Sequence, residues 1–163
     1  MDKINTYRPL KTHRIDRLCE IELKNIRKFQ AAKFDFEESA KRPEGKDLYE
    51  WILLKIIDFY NQISALYYPI SSFCTKESCP LMSAGPKYLY RWMDGKKYLK
   101  PVDLPACEYI DALFDWVDEK TSPLLEMDGV FPEDFDLLSK KIIQRLFRFY
   151  AHCYYHHMEE MEE

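Results

Sequence analysis

The chain has 163 residues, with 24 Lys/Arg against 28 Asp/Glu, a formal net charge of -4 and an isoelectric point near 5.6. That length suits a single domain able to bury a core of its own, so a metal would act as a clamp more than as a folding nucleus. The acidic balance argues against nucleic acid as the main partner, and no apolar run reaches membrane-spanning length, so no integral membrane association is expected.

The amino end, MDKINTYRPLKTHR, lacks the apolar segment of a secretion signal. Five cysteines, an odd number, do not complete a disulfide framework and point to the reducing cytosol or nucleus, with thiols free for metal. Residues 1–50 hold 12 Lys/Arg and 10 Asp/Glu, which leaves 12 and 18 for the remainder. Such an acidic remainder matches a basic peptide or basic kinase segment.

Residues 14–32 place Ile15, Leu18, Glu22, Ile26 and Phe29 three or four apart, which predicts an amphipathic helix in an N-terminal extension over 1–42. Pro43 and Gly45 mark a loop, and Asp47 with Glu50 three residues later forms a capping box for a helix over 48–67. That helix is apolar on more than one side, as expected of a central helix touched on several faces, and Pro69 should end it.

Residues 70–105 read as a turn-rich insertion. Tyr88, Tyr90 and Trp92 alternate, Asp94-Gly95 offers a hairpin turn and Tyr98 can pair across it, so a small β-ribbon is expected within 83–101. A helix over 106–118 follows, with Tyr109, Ile110, Leu113, Trp116 and Val117 as its buried stripe, then a loop holding Pro123, Gly129 and Pro132. From Asp134 to the end there is no Gly or Pro, and Phe135, Leu138, Ile142, Leu146, Phe149 and Cys153 share one face of a long last helix. The fold class is all-α: a helical bundle, zinc-stapled, with a small ribbon.

The staple rests on Cys74 and Cys79, which flank TKES, and on the histidines near the end of the chain. Together they offer the two sulfur and two nitrogen donors of a tetrahedral zinc site. On an ideal helix His152 and His156 share a face, whereas His157 lies about 140° around from His152, so spacing nominates the 152/156 pair. Cys107 and Cys153 sit on helical stripes and read as core residues, as does Cys19. No catalytic constellation is visible: Ser71-Ser72 has no base partner, and there is no phosphate-binding glycine loop and no HExxH. A zinc-dependent hydrolase would need an open coordination position.

The runs FYNQISALYYPISSFCTKESCPLMSAGPKYLYRWMDGKKYLKP (59–101), FPEDF (131–135) and RLFRFYAHCYYHH (145–157) closely resemble the Mob family of kinase coactivators. The resemblance extends from about Pro43 to His157 and implies a helical bundle over 43–163 with structural zinc on Cys74, Cys79, His152 and His157, His156 being the rival for the last place. It also implies an adaptor that binds the basic N-terminal regulatory segment of Ndr/Lats-type protein kinases, with the acidic contact positions falling on Lys46, Glu50 and Asp58; the first has reversed sign. A phosphothreonine peptide from an upstream Hippo-type kinase would meet the positions of Gln144, Arg145 and Arg148. Lys141 lies one helical turn before Arg145 and two before Arg148, so it shares their face and replaces the cation lost at Gln144.

The resemblance places such a protein in the cytoplasm, with the nucleus, spindle pole or division site as further locations. It carries one alternative, a phocein-like scaffold in trafficking or phosphatase assemblies. Family domains continue with further helices beyond this point, so the surfaces those helices cover are expected to be exposed or repacked here.

Overall fold

The computed structural model describes residues 38, 40–127 and 129–162. The expected N-terminal helix over 14–32, together with His13 and Cys19, lies outside them. Four helices and one two-stranded ribbon make up the described chain: α1 (Leu48–Ile70), β1 (Ser83–Ala84), β2 (Tyr88–Leu89), α2 (Ala106–Glu126), α3 (Phe135–His156) and α4 (Met158–Glu162). Among these residues the architecture is the expected all-α bundle with a ribbon, and no helix is long and apolar enough to cross a membrane.

Helix α1 begins where Asp47, in extended conformation, accepts hydrogen bonds from the backbone N–H of Tyr49 and Glu50 at 2.8 and 3.1 Å. Its broad hydrophobicity has a direct cause. Ile56, Tyr60 and Ile63 enter the main core with Ile110, Leu113 and Phe149, while Leu53 and Ile57 turn to a second cluster with Leu124 and Phe135. Each fully buried isoleucine of this kind contributes about 1.5–3 kcal/mol relative to exposure. Pro69 does not stop the helix at once, because it stands in the last turn, and α1 runs to Ile70. Two serines then close the end: the Ser71 hydroxyl donates to the Tyr68 carbonyl at 2.7 Å and the Ser72 hydroxyl to that of Pro69 at 3.5 Å. The serine pair is a cap.

Helix α2 runs further than its sequence suggests, through Pro123 to Glu126. Buried Thr121 and Leu124 hold the extra turns against the core, and the Thr121 hydroxyl returns to the Val117 carbonyl at 2.9 Å. Tertiary burial has outweighed the backbone N–H that proline lacks. The opposite correction applies at the end of the chain. The expected unbroken helix from 134 onward stops at His156, and His157 leaves helical geometry with φ -138 and ψ 27 before the short α4.

The ribbon is also displaced from its expected turn. Ser83 and Ala84 pair with Leu89 and Tyr88 around Gly85-Pro86-Lys87, while Trp92 bridges Val102 in a second antiparallel contact. Asp94-Gly95 does turn the chain, with the Asp94 carboxylate accepting from the N–H of Lys96 and Tyr98 at 2.8 and 2.9 Å and the Tyr98 carbonyl accepting back from the N–H of Asp94 and Gly95 at 3.3 and 3.2 Å; the antiparallel bridge beyond this turn joins Trp92 to Val102. Gly85 suits this turn for two reasons: its φ is +62, which L side chains rarely adopt, and a Cβ there would lie 3.0 Å from the Tyr155 ring, tighter than ordinary contact. This contact seats the ribbon on the C-terminal end of α3.

Candidate metal centre and cationic site

The two cysteines come together because the loop between them folds as a turn. The Thr75 N–H donates to the Ser78 hydroxyl at 2.9 Å, the Ser78 N–H donates to the Thr75 hydroxyl at 3.2 Å, and the Cys79 N–H donates to the Thr75 carbonyl at 2.9 Å. Cys74 itself is tied to α1 by its N–H to the Ile70 carbonyl, 2.9 Å. From the other side α3 contributes His152, and the break after His156 swings His157 out of the helical register. The conflict between spacing and resemblance is thereby removed: five residues do not share a face on a helix, but His157 is no longer on one.

Cys74, Cys79, His152 and His157 are all buried, and their donor atoms lie within 4.8 Å of one another. The Cys74 Sγ to His152 Nε2 distance is 3.6 Å and the Cys79 Sγ to His157 Nε2 distance 3.4 Å. A tetrahedral zinc with bonds of about 2.3 Å to sulfur and about 2.0–2.1 Å to nitrogen sets such sulfur–nitrogen edges at about 3.5–3.6 Å. The donor set therefore fits a four-coordinate ion. His156 takes no part: it is exposed, and its Nε2 lies 3.1 Å from the Ser83 hydroxyl.

The surroundings favour neutral imidazole. Burial lowers the His152 pKa to about 4, against the opposing effect of its bond to the Ser83 carbonyl. That bond, from Nδ1 at 2.8 Å, turns Nε2 toward the sulfurs. Burial likewise lowers His157, with Glu160 acting in the opposite sense. Burial, and then the neighbouring Cys79, push the Cys74 thiol well above its ordinary range. A dication is what makes deprotonating buried thiols favourable, since it supplies the charge that burial withholds. Cys153 is in the core, as expected, its thiol pushed up to about 12 by burial and by Cys79, whereas Cys107 is only partly covered.

The cationic positions have a different setting. Arg145 is 7% exposed, and its guanidinium lies over the rings of Trp92 and Trp116 at 4.7 and 4.3 Å. Its Nη2 donates to the Met93 carbonyl at 2.6 Å, while Nη1 is buried with no hydrogen-bond partner. Burial, and the like charge of Arg148, lower its pKa, yet a guanidinium stays charged. Arg148 is half-buried, donates to the Tyr109 hydroxyl at 2.8 Å and lies over the Tyr90 ring at 5.2 Å. Lys141 is exposed, with Nζ 5.9 Å from the Trp116 ring centroid, and Gln144 is exposed as well. The aromatic clamp around Arg145 was not legible in the sequence, because Trp92, Trp116 and Arg145 come from three separate segments.

Glu50 is exposed in the first turn of α1. Asp58, two turns on, is more covered: its side chain is 10% exposed and forms an ion pair with Lys55 at 3.6 Å. Lys46, the reversed position, is exposed.

A helical bundle clasped by a buried Cys2His2 cluster is what fold and site define together. A sequence model described as the Mob1/phocein family matches residues 28–163, and the chain belongs to that family. It is 41% identical over 133 residues to human "MOB kinase activator 3B", 45% over 128 residues to "Maintenance of ploidy protein mob1" of Schizosaccharomyces pombe, and 40% over 131 residues to "MOB kinase activator-like 1B" of Arabidopsis thaliana. These matches cover 76–78% of this chain and 61% of each relative, so the chain spans under two thirds of their length.

Proposed function

We propose that this protein is a non-catalytic adaptor that binds the basic N-terminal regulatory segment of an Ndr/Lats-type protein kinase and favours its active arrangement. The family match over residues 28–163 is the observation that carries this reading, since it includes every site residue named above and relatives titled kinase activators. The proposed contact is the N-terminal part of α1, where exposed Glu50 can take charge-assisted bonds from Arg or Lys; Asp58, two turns on, is largely covered and paired with Lys55, so it would join the contact only by exchanging that partner. Activation is then a population shift, which requires the adaptor to bind the competent kinase state more tightly than the other.

Zinc is the proposed occupant of the Cys2His2 cluster, and its role there is structural. Four protein donors leave no coordination position for water, so the site supports shape and not hydrolysis. The clamp joins the 74–79 loop, the end of α1 and the end of α3.

A phosphothreonine peptide from an upstream Hippo-type kinase is the proposed second ligand, received by Arg148 and Lys141, with Arg145 on the same helix face. We place both activities in the cytoplasm or nucleus.

The test is fluorescence anisotropy with labelled N-terminal peptides of Ndr/Lats-type kinases. Binding that weakens at least about tenfold in Glu50→Lys is expected, a loss of about 1.4 kcal/mol. No binding to any peptide of the panel would overturn the coactivator reading.

A further inference from the structure

The two histidines of the metal centre differ in what holds their second nitrogen. His152 gives Nδ1 to the Ser83 carbonyl at 2.8 Å, a backbone group fixed by the ribbon. His157 has no such partner: its Nδ1 is buried without a hydrogen bond. A neutral imidazole that presents the Nε2 lone pair to a metal carries its proton on Nδ1, and that N–H needs an acceptor. Ordering of the ring would otherwise fall to packing alone.

Glu160 stands at that position. Its Oε2 is 4.0 Å from His157 Nδ1, three residues along, and its side chain is 30% exposed. The turn that carries it is anchored by the Met161 N–H, which donates to the His157 carbonyl at 3.1 Å. A shift of about 1 Å would bring the pair to hydrogen-bond distance.

We infer that Glu160 is a positioning residue for the metal centre, its carboxylate accepting a hydrogen bond from the Nδ1–H of His157 and thereby fixing the ring and raising the basicity of Nε2. The inference rests on the reading of Cys74, Cys79, His152 and His157 as a metal site. It also accounts for the short helix α4, which returns a carboxylate to the histidine that precedes it. Glu159, one residue earlier and exposed, has no such geometry and serves as the control.

The experiment measures zinc affinity of the full chain by competition with a chromophoric chelator, and the absorption bands of the cobalt(II) form, for the wild type, Glu160→Gln, Glu160→Ala and Glu159→Ala. Expected is a roughly 10- to 100-fold weaker affinity for Glu160→Ala, of the order found when such outer partners are removed. Glu160→Gln, which keeps an acceptor and nearly the same volume but loses the charge, should fall between, with altered cobalt bands. Glu159→Ala should match the wild type. Wild-type affinity and wild-type cobalt bands in both Glu160 variants would overturn the inference, as would an equal loss in Glu159→Ala. A wild-type protein that takes up no metal would instead overturn the reading of the metal site itself.

Discussion

Two stretches of one helix and its end, residues 141–148 and 152–157, carry clustered cations and clustered histidines, and they teach opposite lessons. In the second, the donor atoms of His152 and His157 face Cys74 and Cys79, and all four donors converge on one point. In the first, the protein has already used much of what the sequence offers. Arg145 is spent on two indoles and the Met93 carbonyl, and Arg148 on the Tyr109 hydroxyl. Helical spacing identifies which cations share a face, but it does not say whether that face looks into solvent or into a Trp-lined cleft.

Four measurements sharpen the contrast, beginning with the largest effect. Cys79→Ser or His157→Ala should abolish stoichiometric zinc uptake, and chelation of the wild type should lower Tm. A site saturated at about 1,000 times its Kd contributes about 4 kcal/mol, or a shift of about 8–16 °C for a chain of this size. Scanning calorimetry with and without chelator reads this directly; an unchanged Tm would remove the structural role of the metal. His156→Ala should keep one zinc per chain.

Next comes the arginine clamp. Arg145→Ala opens space between Trp92 and Trp116 and should cost about 2–4 kcal/mol in urea unfolding, while Arg145→Met, which refills the volume without a buried cation, should cost less. Equal losses would mean that the guanidinium's hydrogen bond, not its stacking, dominates. Phosphopeptide binding is better probed at the less buried cations. The Lys141→Ala, Arg148→Ala double variant should weaken a phosphothreonine peptide by about tenfold or more, and unchanged affinity would remove the second proposed site.

The smallest effect is one of pH. Burial alone would raise the Asp94 carboxyl, but hydrogen bonds from the N–H of Tyr98 and Lys96 and from the Trp92 indole outweigh it and hold the pKa below the usual carboxylate value. A folded-state pKa depressed in this way gives stability that is present above the unfolded carboxyl value and is lost as pH falls through the folded one. Asp94→Ala should therefore cost stability at neutral pH, where the ionised carboxylate contributes in full, and cost progressively less as pH falls, which flattens the acid limb of the stability profile. An unchanged acid limb would show that other carboxylates dominate it.

Residue pattern was enough for the helical class, the start of α1 at Asp47, the apolar face of α3 and the cysteine and histidine pairs as candidate metal donors. These follow from local rules: a cap needs an acceptor at one position, and a buried helix face needs apolar residues at the helical period. The choice between His156 and His157 needed either resemblance or structure, because spacing assumes an unbroken helix. Tertiary structure alone decided where that helix breaks, that α2 continues through Pro123, that the ribbon turns at Gly85, and that Arg145 lies between two tryptophans. The deciding contacts join segments far apart in the chain: Tyr155 over Gly85, the cysteine loop against His157, Trp92 and Trp116 around one guanidinium. Contacts of that kind leave no period in the sequence, and they fix which donors converge and which cations remain for a partner.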